Sequence, residues 1–558
     1  MARRRATRRL AILLDSRWRA LVRGDRRATV ARLVGLCVEL GAARFGGPLT
    51  AAERRMLATA SPVAMDAASI VGAIRNGADP LGDLLLAVRS PQYRRRLGAV
   101  YTPTPIVDRM VTWLLAQAPV RVVDPVCGSG RFAAAVARRR PHMDIVAVDV
   151  DPLATLVCRA NLATLGASHA RVHHADFTQL RLPQTDGRTG FVGNPPYVRH
   201  HALTEAQKAW AAATAARLHL PWSGLAGLHV HFLVATLMHG APGDVGCYIT
   251  SSEWLDVRYG AALREALLHS MGGASLFLLD RTRAAFPDAM TTAVITCFEL
   301  GGPRAPIRFR HLRRVEEFGT PTTGSGHPVA RDRLRQAHHW TPFFTRHRRR
   351  PAGTTTVSLG RIVQVSRGVA TGCNAFFVLR KEAAAALGLT AYVVPVLTRA
   401  RDVLSADGTI RARDLPYVLL APPRDVDLAA REHRPLREYL TQGERRRVHE
   451  AYLCRHRTPW WYVGARRPPI VATYMTRQAP AFALNPDGCA ILNVLHGLYP
   501  RQAMEPDDLR RLVGYLMQHR QTFRGNGRTY QGGLEKFEPG EMEALQVPAP
   551  DELRRTMS

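Results

Sequence analysis

Apolar residues recur at helical spacing from the start of the chain to about residue 97. Trp18, Leu21 and Val22 form one patch, and Val30, Leu33, Val34, Leu36, Cys37, Val38 and Leu40 form the next. Ala64 to Ile74 and Leu81 to Val88 continue the pattern. Past residue 98 it changes. Short runs at Val120–Val123, Ile145–Val148 and Gly190–Val192, mostly apolar, predict strands, as do Arg171–His174, Val245–Thr250, Leu276–Leu279 and Ala293–Phe298. Between them lie amphipathic or Ala-rich helical stretches: Ile106 to Leu115, a run ending at Arg139, Leu153–Leu165, Glu205–Leu218 and Leu225–Met238. Strands alternating with helices predict an α/β fold with a doubly wound, Rossmann-like sheet. Glu316 to Val329 is rich in Thr, Gly and Pro and reads as a linker; from about 355 the pattern becomes short strands and turns, a mixed α+β domain. The expected division is a helical region at 1–97, the α/β domain at 98–312, a linker at 313–354 and a second domain at 355–558.

Charge adds a partner. The chain has 558 residues and a formal net charge of +32, which points to a polyanion. The lysines are Lys208, Lys381 and Lys536, so nearly all the positive charge is arginine. A GC-rich coding bias produces arginine too, but the excess is large and arginine suits phosphate and guanine contacts. The eight cysteines show no Cys-x-x-Cys spacing, and reduced thiols in a cytoplasm are expected. Ala11 to Leu14 is too short for a signal-peptide core, and no segment is apolar enough to span a bilayer. Arg94, Arg95 and Arg96 read as a solvated face or a phosphate contact.

The chemistry-bearing residues fall at strand ends. Tyr101-Thr102-Pro103 precedes a helix that Thr102 or Thr104 caps. The first strand runs into Asp124-Pro125-Val126-Cys127-Gly128-Ser129-Gly130-Arg131-Phe132, a tight glycine turn opening a helix. That is nucleotide-binding geometry without the Gly-Lys-Ser/Thr of a phosphate loop, and with a leading acid that favours a cationic moiety over pyrophosphate. Asp149 ends the second strand and suits ribose hydroxyls, with Asp151 ranked second. Asp176-Phe177 follows the third strand; the acid can accept an adenine amino proton and the ring can pack on the base. The fourth strand delivers Gly193-Asn194-Pro195-Pro196-Tyr197. Two prolines stiffen this turn and hold Asn194 extended. The Asn194 side-chain oxygen and the Pro195 carbonyl suit the two protons of a planar amine, and Tyr197 suits the attached base. His229 and His231 lack a third ligand, so helical packing is the expected role and no metal is expected.

Taken in this order, these motifs resemble the gamma class of DNA adenine-N6 methyltransferases of restriction–modification systems, in the Taq-type, Eco57I-like branch. The resemblance implies a class I methyltransferase sheet and S-adenosyl-L-methionine as cofactor. It implies a cofactor set of Tyr101, Thr102, Pro103, Asp124, Pro125, Cys127, Gly128, Gly130, Asp149, Asp176 and Phe177. Asn194, Pro195, Pro196 and Tyr197 would hold the target amine, with Tyr197 and Phe286 stacking on the flipped base; Phe286 also reads as an apolar loop residue. Further along, Gly360 to Asn374, Pro459-Trp460-Trp461-Tyr462, Asn493 to Tyr499 and Tyr530 to Phe537 resemble this family's target-recognition region. The implied partners are double-stranded DNA and a cognate restriction endonuclease or other defence subunit, in a bacterial cytoplasm at the nucleoid.

Rivals remain within the fold and beyond it. RNA and protein-glutamine methyltransferases share the Asn-Pro-Pro-Tyr chemistry, and the arginine-rich C-terminal region favours DNA over both. A fused nuclease needs a Glu-x-Lys-type element, and no lysine precedes Lys208. A cytosine ring-carbon enzyme needs a Pro-Cys nucleophile, and no Pro-Cys dipeptide occurs. A binding module with a dead core would not need the strand-end acids.

Overall fold

Five short strands run parallel, and the first four lead into the motif residues. They are β1 (Arg121–Asp124), β2 (Asp144–Asp149), β3 (Ala170–His174), β4 (Thr189–Gly193) and β5 (Val245–Ser251). β6 (Met271–Leu279), β7 (Ala293–Leu300), β8 (Ile307–Leu312) and β9 (His327–Val329) extend the sheet to the order β3-β2-β1-β4-β5-β7-β6-β8-β9. β7 is antiparallel to both neighbours. The order reverses at β1, which opens a crevice at the carboxyl ends of β1 and β4. This computed structural model describes residues 25–63, 67–90, 93, 98, 101–279, 292–312, 317–318, 326–337, 339–344, 356–404, 406–524, 526–530 and 534–556.

Alternation of side chains explains why the middles of β1 and β2 are apolar at successive positions. Val122, Ile145 and Ala147 face one core layer, with Ile106, Met110 and Val136. Val123, Val146 and Val148 face the other, with Phe191, Phe232 and Trp254. Successive side chains point to opposite faces, and both faces are covered by helices. β6 begins five residues earlier than the apolar run at Leu276 suggests. Gly272 and Gly273 hide its start in the sequence, and the register shifts between Gly272 and Ser275, a bulge that re-aims the strand.

The helical region packs on the far side of helix Pro152–Thr164, which is buried nearly all round. Leu33, Val34, Ile70, Leu81 and Leu85 meet Leu153, Val157 and Ala160. Each such leucine or valine contributes about 1.5–3 kcal/mol when fully buried. One charged pair sits inside this contact: Arg159 Nε donates to Glu53 Oε1 at 3.0 Å, with both side chains fully buried.

The chain divides into two compact units, Met1–Arg346 and His347–Ser558. The stretch read as a linker differs from expectation. His327–Val329 pairs antiparallel with β8, Trp340 and Phe344 are buried beside Phe309, and the Trp340 amide donates to Asp256 at 3.0 Å. Burial of these aromatics outweighs the local Thr, Gly and Pro composition. In the second unit, Thr356–Ser358 pairs with Gln546–Pro548 and so joins its two ends. Two four-stranded sheets and a three-stranded one fill the unit, with helices Arg434–Arg445 and Pro506–Gln518. Among the described residues, no helix is long and apolar enough to cross a membrane.

Candidate functional site

Parallel pairing of β3, β2, β1 and β4 brings four motif loops to one sheet edge. Asp124 ends β1, Asp149 ends β2, Asp176 lies two residues beyond β3, and Asn194 directly follows β4. A cavity of about 580 Å³ opens there, within the range of sites for small molecules. Its walls include Tyr101, Thr102, Pro125, Cys127, Gly128, Asp149, Asp176, Phe177, Asn194 and Pro196.

The glycine loop is tied to β2 and to the helix behind it. The Cys127 amide donates to Val148 O at 2.8 Å, and the Gly128 amide donates to Asp149 Oδ2 at 2.8 Å. Gly130 has φ +87°, and a Cβ there would lie 2.7 Å from Cys158 Sγ. Only glycine lets the loop lie flat on helix Pro152–Thr164. A Cβ on Gly128 would meet no atom within 4 Å, so a ligand can approach its backbone.

The acids are held in different ways. Asp149 accepts from Gly128 and, at 2.9 Å, from the Asp151 amide; burial pushes its carboxyl up to about 6. Asp151 turns away from the cavity, caps helix Pro152–Thr164 through Leu153 N at 3.0 Å and pairs with Arg89. Asp124 lies behind the wall, fully buried beside Gly193, and no described residue hydrogen-bonds its Oδ2. Burial, reinforced by the charge of Asp149, pushes its carboxyl up to about 8. Asp176 Oδ1 accepts from the Thr178 amide at 2.9 Å and hydroxyl at 2.8 Å. The Phe177 ring stacks on Phe232, centroids 6.0 Å apart, and both line the cavity.

The Asn-Pro-Pro-Tyr turn is braced from two directions. Asn194 Nδ2 donates to Thr102 Oγ1 at 3.0 Å, which fixes the amide plane. The Tyr197 amide donates to Gly98 O at 3.1 Å. The Tyr197 ring meets His229 edge-on at 6.5 Å, and Tyr197 does not line the cavity; neither do Pro103, Asp124, Gly130 and Pro195. Pro103 instead caps helix Thr104–Ala116. Phe286 lies outside the described residues. His231 lines the cavity; burial lowers it and His229 to about 4, so both are neutral near pH 7. Among the described residues, no group of three or more His, Cys, Asp or Glu is placed to hold a metal.

Sequence reasoning missed the cover. Leu203, Gln207 and Trp210, on and just before helix Glu205–Arg217, line the cavity with Phe232. The available signal was a tryptophan in an Ala-rich helix beginning eight residues after Pro-Tyr. Ser129 and Arg131 line it too.

The model of the type II methyltransferase M.Eco57I C-terminal domain matches residues 347–557, and that of the methyltransferase small domain matches residues 107–226. Type II methyltransferase M.XamI of Xanthomonas campestris pv. amaranthicola is 38% identical over 542 residues, covering 94% of this chain and 99% of the relative. The chain belongs to the Eco57I-like methyltransferases of restriction–modification systems. This type II methyltransferase is also similar to M.AccI of Acinetobacter calcoaceticus, 22% identical over 482 residues, or 81% of this chain and 85% of that one. Among solved structures it resembles the type IIL restriction–modification enzyme MmeI in complex with DNA, with a TM-score of 0.52 and 14% identity over 85% of this chain and 69% of that one. At that identity the likeness shows the fold alone. Membership of this family implies a reaction dependent on S-adenosylmethionine.

Proposed function

We propose that this enzyme methylates the exocyclic N6 of an adenine flipped out of a specific double-stranded DNA sequence, within a restriction–modification or related defence system. The observation that carries the reading is the Thr102-braced Asn194 amide in the wall of a cavity shared with Asp149 and Asp176. S-adenosylmethionine, when bound, supplies an electrophilic methyl on a sulfonium. The surroundings fit it: in the wall, Asp149 for ribose hydroxyls, Asp176 for an adenine amine and open backbone at Gly128, and directly behind the wall Asp124, whose orphaned buried oxygen suits a cationic end.

The chain's own residues then have to place an amine. Extruding a base from a duplex costs a few kcal/mol, offset by stacking and pocket hydrogen bonds. Phe286 and Tyr197 are the stacking candidates, and the Tyr197 ring, which lies outside the cavity in the ligand-free protein, has to turn toward the flipped base to serve. Asn194 Oδ1 and the Pro195 carbonyl accept the two amino protons, which turns the nitrogen lone pair toward the methyl. Placement and electrostatics carry the rate, with no covalent nucleophile. The arginine-rich unit after residue 347 grips phosphates and reads bases, so the division into a methyltransferase unit and a target-recognition unit is part of the proposal. A cognate endonuclease in the same bacterial cytoplasm, acting at the nucleoid, is the expected partner.

The deciding experiment incubates the enzyme with tritiated S-adenosylmethionine and, separately, plasmid DNA, RNA or release factor. Label is expected on DNA, as N6-methyladenine after nuclease digestion. Label on protein or RNA alone defeats the reading in favour of the amine methyltransferases of those substrates. A pH effect accompanies it. A cationic ligand end beside Asp124 favours the ionised carboxylate and lowers a pKa that stands near 8 in the free site. Binding therefore releases a proton at pH 7, and affinity rises from pH 6 to about 8. Calorimetry of S-adenosylhomocysteine binding in buffers of unlike ionisation enthalpy reads this directly. Zero proton release at pH 7 would remove Asp124 from the cofactor's cationic end.

A further inference from the structure

We propose that Asp79, in the N-terminal helical region, is the positioning residue for the cofactor loop. The inference rests on the reading of that loop as the S-adenosylmethionine site. Asp79 Oδ2 accepts from Ser129 Oγ at 2.6 Å and from Arg131 Nε at 2.7 Å. Oδ1 accepts from the Gly82 amide at 2.8 Å and from Asn161 Nδ2 at 3.1 Å. One carboxylate thus ties two residues of the glycine turn to the start of helix Pro80–Val88 and to helix Pro152–Thr164. Asn161 Nδ2 closes the ring by donating to Ser129 O at 2.9 Å.

Gly82 is shaped for this contact. A Cβ there would fall 2.0 Å from Asp79 Oδ2 and 2.6 Å from Ser129 Oγ. The network also reaches the transfer site. Arg131, held by Asp79, donates through Nη1 to Thr102 O at 3.2 Å, and Thr102 Oγ1 accepts from Asn194. The helical region thereby fixes the cofactor loop and backs the residue that orients the amide. Charge-assisted hydrogen bonds of this kind are the strong ones, and Asp79 makes two to the loop's side while capping its own helix.

Asp79→Asn separates the two jobs. Asparagine caps a helix about as well as aspartate, so helix Pro80–Val88 survives. Its amide cannot accept from Ser129 and Arg131 as a carboxylate does. Three measurements on the full chain test it: calorimetry with S-adenosylhomocysteine, steady-state methylation of plasmid DNA, and hydrogen exchange of the Gly128 and Gly130 amides in ligand-free protein. The expected result is weakening of S-adenosylhomocysteine binding by about tenfold, the loss of roughly one charge-assisted bond. The KM for S-adenosylmethionine rises in step, kcat falls by less than the affinity because Asp79 reaches the amide only through Arg131 and Thr102, the KM for DNA stays within about twofold, and both amides exchange faster. Gly82→Ala is the second variant; alanine favours the helix while displacing the carboxylate, so it reports the same loss should Asp79→Asn unfold. Wild-type affinity in both variants, with Asp149→Ala losing affinity, overturns the role of Asp79 and leaves the cofactor site standing. Wild-type affinity in all three overturns the cofactor site itself.

Discussion

Asn194→Ala is expected to lower methyl transfer to DNA by about 10²–10³-fold, the cost of removing a preorganised polar group at a reacting centre, while S-adenosylhomocysteine binds within about threefold. The expectation comes from how the amide is held. Its Nδ2 is committed to Thr102 Oγ1 at 3.0 Å, so Oδ1 is the atom oriented toward an incoming amine. Alanine removes that acceptor and leaves the cavity's acids untouched. Asn194→Asp should lose less. The Thr102 hydroxyl can rotate to donate where it now accepts, so a carboxylate keeps both the brace and an acceptor. Thr102→Ala should be milder still, because the acceptor stays and only its orientation loosens. Single-turnover transfer to plasmid DNA alongside calorimetry gives the ranking. If Asn194→Ala transfers within tenfold of the parent enzyme, the amide does not hold the target.

How far these features are legible in sequence depends on their span. Asp124, Asp149, Asp176 and Asn194 are readable because each sits at a strand end, where local pattern and parallel topology force convergence. The stretch from 313 to 354 misled because Thr, Gly and Pro are abundant from Glu316 to Val329, while the anchoring aromatics Trp340 and Phe344 come late and pack on Phe309 of β8. Helix Glu205–Arg217 is visible as a helix, but nothing local says that Trp210 faces a cavity. Asp79 looks like any N-cap, since its partners Ser129, Arg131 and Asn161 lie 50, 52 and 82 positions away. Glu53 is hidden the same way, 106 positions from Arg159. Such pairs are decided by tertiary packing, which a periodicity argument does not reach.

Glu53→Gln is expected to destabilise the first unit by about 3–5 kcal/mol, the usual cost of leaving one member of a buried pair alone. Arg159 has all five guanidinium N–H donors engaged: Nε to Glu53 Oε1, Nη1 to Phe45 O and Gly47 O, and Nη2 to Pro48 O and Val172 O. Only Glu53 among these partners carries a compensating charge. Burial by itself would raise the Glu53 carboxyl. The Thr50 amide, the Arg159 charge and the Thr155 and Thr50 hydroxyls together outweigh it, and the net shift is downward. A carboxylate depressed on folding contributes stability above its unfolded pKa and loses it as pH falls through the folded value. Glutamine keeps the volume and part of the capping box with Thr50 but strands the guanidinium. Urea unfolding followed by circular dichroism reads the loss as a lower midpoint at unchanged slope. The double variant Glu53→Gln, Arg159→Met should lose less than the sum of the single losses, since it removes both charges together. Strict additivity would mean that the buried contact between the helical region and helix Pro152–Thr164 owes its strength to apolar packing alone.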